Sequence, residues 1–240
     1  MKWIDLTLPT PAENLACDEA LLDWCEAGTC EDELLRFWES PAPFVVVGYS
    51  NHLDREVHLD HCRADGVPVL RRCSGGGTVV QGHGCLNFSL ILRIPPDGPL
   101  SNLTGTNNFI MQRHAAALRP LLGNGCHATG TTDLAVGDRK FSGNAQRRKR
   151  SFLLFHGTFL LDFDLSLIAR LLKFPSRQPD YRQGRSHLDF VMNTGLSRPA
   201  VKDALKQGWQ TTNLLTLIPF DKIRSLAQNR YSQDEWTFKF

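Results

Sequence analysis

Short apolar runs alternate with amphipathic segments along the whole chain, and none of the apolar runs is longer than a strand. The two most apolar runs, residues 44–48 and 86–94, fall well short of the ~18 residues that cross a membrane as a helix. Between such runs lie segments in which apolar residues recur at helical spacing. Hairpins that alternate with helices are typical of an α+β fold, so we predict a mixed β-sheet core flanked by helices.

Turn and capping residues divide the chain into predicted elements. Pro11 and Asn14 begin a helix that Gly28 ends, and Pro120 is expected to bend or end a later helix early. Residues 134–139 and 152–161 are predicted to pair as two strands, with the basic run 147–150 at their turn. The other predicted strands cover 3–8, 34–38, 44–48, 67–71, 86–94 and 214–218, and the other helices cover 55–64, 106–122, 165–172 and 198–208.

Size and composition favour a single domain over residues 1–240, without a separate C-terminal accessory domain. The chain is 42% hydrophobic and 22% charged, which excludes disordered and coiled-coil classes. Its first eight residues contain one lysine, one aspartate and no apolar core, so they do not form a signal peptide. All seven cysteines fall between Cys17 and Cys126. An odd, one-sided set of this kind indicates reduced thiols, hence a cytoplasmic protein with no membrane partner.

The net charge of +2 conceals a local basic cluster. Between residues 139 and 150 the chain carries basic side chains and no acidic one: Arg139, Lys140, Arg147, Arg148, Lys149 and Arg150. Such a cluster is either a solvated hairpin tip or a surface for an anion, such as a phosphate or an acidic protein. No aromatic residue is interleaved with the bases of residues 147–150, so a nucleic-acid partner is not expected.

Residues 71–78 form a glycine-rich loop with the sequence Arg-Arg-Cys-Ser-Gly-Gly-Gly-Thr between two predicted strands. Consecutive glycines allow backbone N–H groups to approach a ligand closely, and neighbouring arginines neutralise phosphate. The loop is neither a Walker loop nor a Gly-x-Gly-x-x-Gly turn, because a strand follows it. A glycine triplet alone is more often a flexible turn; the two arginines favour an anion-binding function.

The segment 132–146 is a second candidate, because it places Lys140 just before Ser142 and Gly143 in extended chain. A fixed ammonium there can stabilise the charge that develops on an acyl carbonyl or an α-phosphate. The alternative is an exposed hairpin lysine, which would be the better interpretation if Lys140 stood alone.

Taken together, these motifs resemble the lipoate–protein ligase/octanoyltransferase family, whose relatives include the biotin protein ligases. The matching residues follow the family order through almost the whole chain. They are Asn14 to Leu22, Arg71 to Gly77, Asn87-Phe88-Ser89, Asp133-Leu134, Gly137 to Gln146, His156-Gly157-Thr158, and Tyr231-x-x-Asp234-Glu235-Trp236.

The resemblance implies a function and a set of partners. Members of the family attach lipoyl or octanoyl groups to a specific lysine of lipoyl domains, such as those of 2-oxoacid dehydrogenases or glycine cleavage H-like carriers. Ligases first make an acyl-adenylate from free lipoate and ATP with Mg, whereas transferases start from an octanoyl thioester. No tightly bound metal is expected.

The resemblance also implies roles for particular residues. Lys140 would bind the acyl carbonyl and the phosphate oxygens. The acyl chain or adenylate would be held by Arg72, Ser74, Gly75, Gly76, Gly77, Thr78, Asn87, Asp133, Ser142, Gly143, His156 and Gly157.

Two departures from the family pattern keep alternatives open. Where ligases carry His-Asp-x-Gly-Asn, residues 81–85 read Gln-Gly-His-Gly-Cys, and the chain stops at Phe240. A ligase of this length would need a separate small accessory protein or a preformed donor. In the transferase alternative Cys126, fourteen residues before Lys140, would be the nucleophile. A third alternative is a non-catalytic acyl- or adenylate-binding protein.

Overall fold

The computed structural model describes residues 1–175 and 177–240. The strands are β1 (Lys2–Asp5), β2 (Leu34–Trp38), β3 (Phe44–Val47), β4 (Val69–Arg71), β5 (Val79–Gln81), β6 (Cys85–Arg93), β7 (Cys126–Thr129), β8 (Asp133–Val136), β9 (Arg139–Arg148) and β10 (Phe152–Leu160). The α-helices are α1 (Pro11–Glu26), α2 (Leu53–Glu56), α3 (Leu59–Ala64), α4 (Leu103–Leu122), α5 (Ser166–Leu171), α6 (His187–Phe190), α7 (Arg198–Gly208), α8 (Phe220–Leu226) and α9 (Asp234–Thr237). A 3₁₀ turn (Asp180–Arg182) precedes α6, and a π-helical turn (Ala227–Tyr231) follows α8.

Two sheets carry the fold. The larger has seven strands in the order β1-β2-β6-β10-β9-β8-β7, and the smaller has three in the order β4-β3-β5. Each sheet contains one parallel pair, β1 with β2 and β3 with β4, and its other pairs are antiparallel. The predicted α+β class with a mixed sheet and flanking helices is therefore confirmed.

The large sheet is covered by helices on both faces. Leu34 of β2 packs in the hydrophobic cluster that contains α1, whereas its neighbour Leu35 packs in the cluster that contains α4 and α7. Leu154 and Phe155 of β10 divide in the same way. Successive strand residues point to opposite faces, so a strand covered on both faces is apolar throughout. That is why most residues of β2 and β10 are apolar.

The helix α1 begins where the sequence predicts. Thr10 and Glu13 form a capping box, in which the Thr10 hydroxyl accepts from the Glu13 N–H and the Glu13 carboxylate accepts from the Thr10 N–H. Pro11 occupies the first turn, where its missing N–H has no consequence. This end of α1 places Asp18, two turns further on, beneath the large sheet.

The prediction for residues 134–161 is wrong in its pairing. Two strands, β8 and β9, occupy 133–148, and β9 lies between β8 and β10. Gly137, with φ +61°, makes the tight turn that separates them. The basic run is also not a free hairpin tip. Arg148 donates to the carbonyls of Leu100 and Ser101, and Lys149 pairs with Asp23.

Two further predictions need correction. Residues 214–218 do not form a strand: Leu214 makes one isolated bridge to Trp3, and Leu217 is 71% exposed. Pro120 does not end α4 early, because it lies in the last turn, two residues before the helix ends at Leu122. In the described part of the chain no helix combines the length and the apolar character required to span a bilayer.

Candidate active site

A cavity of about 530 Å³ lies among α1, both sheets and residues 172–175 and 177–191. Much of its wall is apolar and includes Leu15, Trp38, Val46, Leu160 and Ile168. Its polar groups come from α1, from the glycine-rich loop, from β5, β6, β8, β9 and β10, and from residues 177–187. A concave site with an apolar body and a few convergent polar groups suits a medium-length acyl chain with a reactive head.

Most of the residues predicted from the sequence line this cavity. They are Arg72, Gly76, Gly77, Thr78, Asn87, Asp133, Lys140, Ser142, Gly143, His156 and Gly157. Gly75 and Cys126 are not among its lining residues. Ser74 is buried just behind the wall and reaches it through a hydrogen bond to His156.

Arg72 shapes the glycine-rich loop from inside. Its guanidinium donates to the carbonyls of Gly75 and Gly77 at 2.6 and 2.7 Å, and burial lowers its pKa to about 10. Arg71 points elsewhere and donates to four carbonyls, those of Gly48, Tyr49, Asn51 and Thr237. The sequence suggested that both arginines face an anion; the structure shows that Arg71 instead binds the backbone.

Lys140 and Asp133 form an ion pair at the cavity wall. The Lys140 Nζ lies 2.7 Å from Asp133 Oδ1, and the Tyr181 hydroxyl donates to the other carboxylate oxygen at 2.8 Å. Burial and the Asp133 charge raise the pKa of Tyr181, so the phenol keeps its proton. A Cβ at Gly143 would stand 2.8 Å from the Lys140 Nζ, which explains why glycine follows Ser142.

A second polar group links α1, the glycine-rich loop and β10. The Ser74 Oγ lies 2.5 Å from His156 Nε2, and His156 Nδ1 lies 2.9 Å from Asp18 Oδ2. Arg36 on β2 pairs with the other Asp18 oxygen at 2.7 Å. Burial alone would raise the pKa of Asp18, but the hydrogen bond from His156 and the charge of Arg36 lower it overall. Asp18 is therefore an ionised carboxylate within the core.

Cys126 lies far from this polar group in the fold. It is fully buried in the cluster beneath α4, and its Sγ faces the carbonyl of Ala115 at 3.9 Å. Burial raises the pKa of its thiol, which disfavours the nucleophilic thiolate. The other six cysteines are also buried and unpaired, and none of the seven lines the cavity. The geometry does not support a cysteine nucleophile.

Neither Arg182 nor Gly48 is among the site residues predicted from the sequence. Arg182 lines the cavity, is 5% exposed, and has one guanidinium nitrogen without a partner in the described chain. It lies against the rings of Phe174 and Phe190, at 4.8 and 4.9 Å. Its place in a basic cluster at 182–187 was the available signal. Nothing in the sequence points to Gly48, because the need for glycine there arises from contact with Gly76, 28 residues later in the chain.

Gly48→Ala is expected to disable the site. A Cβ at Gly48 would lie 2.1 Å from the Gly76 carbonyl oxygen, so the glycine-rich loop must move. A shift of about 1 Å in a positioning loop lowers turnover about 100-fold. Acyl transfer to a lipoyl domain measures the loss, and circular dichroism checks the fold. Gly125→Ala is the matched control, since its Cβ would meet Val136 and the Gly137 nitrogen only at ordinary contact distances of 3.5 and 3.8 Å. Equal activity of both variants would contradict the expectation.

A fold of this type, with a deep apolar cavity closed by a glycine-rich loop and a lysine on the neighbouring sheet, defines an acyl-binding catalytic domain. Residues 10–210 match the model of the lipoyl protein ligase A/B catalytic domain. The chain belongs to that family. The predicted resemblance is thereby confirmed, together with the enzyme class: a lipoyl protein ligase or a related lipoyl or octanoyl acyltransferase.

The relatives include proteins named as octanoyltransferases and proteins named as lipoate–protein ligases. The chain is 26% identical to octanoyltransferase LipM of Lysinibacillus sphaericus, over 96% of this chain and 95% of the relative. It is 28% identical to lipoate-protein ligase A subunit 1 of Thermoplasma acidophilum, over 96% and 94%. Among solved structures it is similar in fold to a bi-partite lipoate protein ligase of that archaeon, described with its E2 lipoyl domain, with a TM-score of 0.80, 24% identity, and coverage of 99% and 95%.

No group of three or more His, Cys, Asp or Glu side chains in residues 1–175 and 177–240 is arranged to hold a metal ion. The polar lining of the cavity includes the ion pair of Lys140 with Asp133 and the carboxylate of Asp18, which pairs with the buried Arg36. These side chains can supply acid–base and electrostatic chemistry.

Proposed function

We propose that this protein transfers an octanoyl or lipoyl group to a specific lysine of a lipoyl carrier domain. The observation that carries the proposal is the cavity itself, an apolar chamber with Lys140 at one point of its wall and His156 at another. The acyl chain occupies the apolar part, and its carbonyl lies at the polar end. The ε-amine of the carrier lysine then attacks that carbonyl.

Each polar residue has a role in this proposal. Lys140, held by Asp133, stabilises the oxyanion of the tetrahedral intermediate. The N–H groups of Gly76 and Gly77, in the loop held by Arg72, supply further donors. Thr78, Asn87, Ser142, Gly143 and Gly157 shape the wall around the acyl head. Asn87 is fixed in turn, since it accepts from the Thr158 hydroxyl at 2.5 Å.

Two donors are compatible with the site. Similarity to an octanoyltransferase supports a thioester donor. The second candidate is a ligase that uses lipoate and ATP with Mg. Its specific support is Arg182, a buried cation at the cavity wall with one nitrogen that has no partner among the described residues. Such a nitrogen requires an acceptor, and a nucleotide phosphate would provide it. Similarity to a ligase subunit and to a bi-partite ligase also supports a separate accessory protein.

The partners follow from the same reasoning. The carriers would be lipoyl domains of 2-oxoacid dehydrogenases or glycine cleavage H-like proteins, as the resemblance implies. Seven unpaired, buried cysteines are consistent with the reducing conditions of the cytoplasm, where we place the reaction.

Mass spectrometry of an apo lipoyl domain separates the alternatives. The domain is incubated with the protein and with either an octanoyl thioester or lipoate plus MgATP. A mass increase with the thioester identifies a transferase, and an increase only with ATP identifies a ligase. No increase with either donor, with candidate accessory proteins present, would overturn the proposal in favour of acyl binding alone.

The variant Cys126→Ser belongs in the same experiment. Because Cys126 is buried beneath α4 and outside the cavity, we expect the variant to keep the wild-type rate of transfer and to lose about 1 kcal/mol of stability. Loss of the thioester-dependent reaction, with the fold intact by circular dichroism, would instead identify Cys126 as the nucleophile.

A further inference from the structure

We propose that Trp236, Arg71 and Asn51 are positioning residues for acyl transfer, because together they hold the glycine-rich loop in its working geometry. This inference rests on the proposed acyl transfer. It also gives a role to the motif at residues 231–236, which the proposed mechanism does not use. None of the three residues is among the described residues that line the cavity, so they act through the loop rather than on the substrate.

The chain around Trp236 is bonded to the end of β4 in two directions. The Trp236 indole N–H donates to the Arg71 carbonyl at 2.8 Å, and the Arg71 Nε donates to the Thr237 carbonyl at 3.0 Å. The Trp236 ring packs against the Tyr49 ring with centroids 5.8 Å apart. The Lys239 ammonium lies over both rings, 3.4 and 3.8 Å from their centroids. These contacts orient the Arg71 guanidinium, which is fully buried.

The same guanidinium holds residues 48–51, the segment that follows β3. The Arg71 Nη1 donates to the carbonyls of Gly48, Tyr49 and Asn51 at 2.8, 3.0 and 2.8 Å. Hydrogen bonds from a charged donor are stronger than those between neutral groups. One cation that binds three carbonyls within four residues therefore fixes the path of this segment.

Residues 48–51 in turn bind the glycine-rich loop through the carbonyls of the loop. The Tyr49 N–H donates to the Ser74 carbonyl at 2.8 Å, and the Asn51 Nδ2 donates to the Gly76 carbonyl at 3.2 Å. In a planar trans peptide unit the C=O and the following N–H point in opposite directions. The bond from Asn51 to the Gly76 carbonyl therefore turns the Gly77 N–H away from residues 48–51.

This orientation is the one that the proposed chemistry needs. Gly77 lines the cavity, and within the described chain its N–H donates to no protein carbonyl, so it is available to an oxyanion. Such a donor lowers the barrier only if it is in place before the charge develops. Arg72 holds the carbonyls of Gly75 and Gly77, and residues 48–51 hold the alternate ones. Both sets of bonds are required to fix the loop.

Trp236→Phe is the central test, because it removes the indole N–H and keeps an aromatic ring beside Tyr49. We expect the maximal rate of acyl transfer to a lipoyl domain to fall about 10- to 100-fold. The donor concentration for half-maximal rate should stay unchanged, because the apolar wall of the cavity binds the acyl chain. A merely structural role would not separate these two quantities.

Trp209→Phe is the matched control. Its indole N–H donates to the buried His114 at 2.8 Å, within the cluster of α4 and α7 on the other face of the large sheet. Because that bond is buried, Trp209→Phe should lower the midpoint of urea unfolding at least as much as Trp236→Phe does. It should nevertheless keep the wild-type rate of transfer.

Hydrogen exchange reports the position of the loop without any reaction. The Tyr49 amide donates to the Ser74 carbonyl, so it exchanges when the loop separates from residues 48–51. We expect exchange at Tyr49 to become about 2- to 10-fold faster in Trp236→Phe. Exchange at Tyr49 should stay unchanged in Trp209→Phe.

Asn51→Ala tests whether Asn51 and Trp236 act on the same loop. Alone it should lower the maximal rate about 10-fold, whereas Asn229→Ala, which loses only a surface bond to the Ser225 hydroxyl, should not. The double variant Trp236→Phe/Asn51→Ala should be close in rate to the slower single variant, because both changes break one chain of contacts. Two losses that multiply would show independent effects and would overturn the inference.

Two further results would overturn it: wild-type rate and exchange in Trp236→Phe, or equal losses of rate in Trp236→Phe and Trp209→Phe. Failure of the proposed function gives a different pattern. If the wild type modifies no lipoyl domain with either donor, the transfer function fails, and exchange at Tyr49 still decides whether Trp236 holds the loop. If the wild type and Trp236→Phe transfer equally well, the function stands and the positioning role is wrong.

Discussion

Lys140→Ala is expected to lower the rate of acyl transfer to a lipoyl domain by about 100- to 1,000-fold. The Lys140 ammonium lies at the cavity wall and is held by Asp133 at 2.7 Å, so the protein does not have to reorganise to stabilise an oxyanion. The loss should appear in the maximal rate, because the charge develops only in the transition state. Lys140→Arg should recover little, because a planar guanidinium does not place its charge where the compact ammonium lies.

The folded state should tolerate the loss of Lys140. Asp133 retains the Tyr181 hydroxyl as a hydrogen-bond donor, and 11% of its side chain is exposed to water. Lys206→Ala is the control, because Lys206 forms an exposed ion pair with Asp203 on α7. Single-turnover rates of the two variants give the comparison. A Lys140→Ala variant with full activity would contradict both catalytic alternatives, ligase and transferase.

Arg36→Met is expected to destabilise the protein by about 3–5 kcal/mol, more than other single substitutions proposed here. Arg36 is fully buried and donates to Leu6 O, Asn14 O, Asn14 Oδ1 and Asp18 Oδ1. Its removal leaves the Asp18 carboxylate buried without its cation. The midpoint and slope of urea unfolding give the free energy of unfolding of wild type and variant.

The control for Arg36 is another arginine–aspartate pair on the surface. Arg170 and Asp65 are bonded through two guanidinium nitrogens, but the Arg170 side chain is about half exposed, so Arg170→Met should cost only about 0–1 kcal/mol. An equal decrease in the free energy of unfolding of the two variants would show that the buried Arg36–Asp18 pair stabilises the protein no more than an exposed pair does.

The depressed pKa of Asp18 also fixes the direction of a pH effect. A carboxyl whose pKa is lower in the folded than in the unfolded state stabilises the fold above its unfolded pKa of about 3.9. That contribution disappears as the pH falls through the folded-state pKa. In Arg36→Met the cation that helps to lower this pKa is missing. Asp18 should therefore contribute less to the loss of stability at low pH in Arg36→Met than it does in the wild type.

Local patterns in the sequence were sufficient for much of the fold. The capping box at Thr10, the apolar run of β2 and the helix Arg198–Gly208 are each encoded within a few neighbouring residues, because cap chemistry and side-chain periodicity are local properties. The same holds for the glycine-rich loop, whose flexibility and position between two strands follow from residues 71–78 alone. The family resemblance added Lys140, Asp133 and His156 as candidates, and these do line one cavity.

Other features depend on contacts between distant parts of the chain. The insertion of β9 between β8 and β10 is a choice of strand partner, which alternation within one strand does not specify. The burial of Cys126 beneath α4 depends on where that helix packs. The inward direction of Arg71 depends on the carbonyl of Thr237, 166 residues later.

The sequence by itself determined the α+β class, the caps and strands that build it, and the family to which its motifs belong. Only the tertiary structure decided which polar groups act together. Residues 18, 74 and 156 carry no signal for one another in the sequence, yet packing α1 against β10 and closing the glycine-rich loop brings Asp18, His156 and Ser74 into hydrogen-bond contact. The physical reason is that periodicity encodes the face on which a residue lies, whereas contact across the core is set by the packing of whole elements.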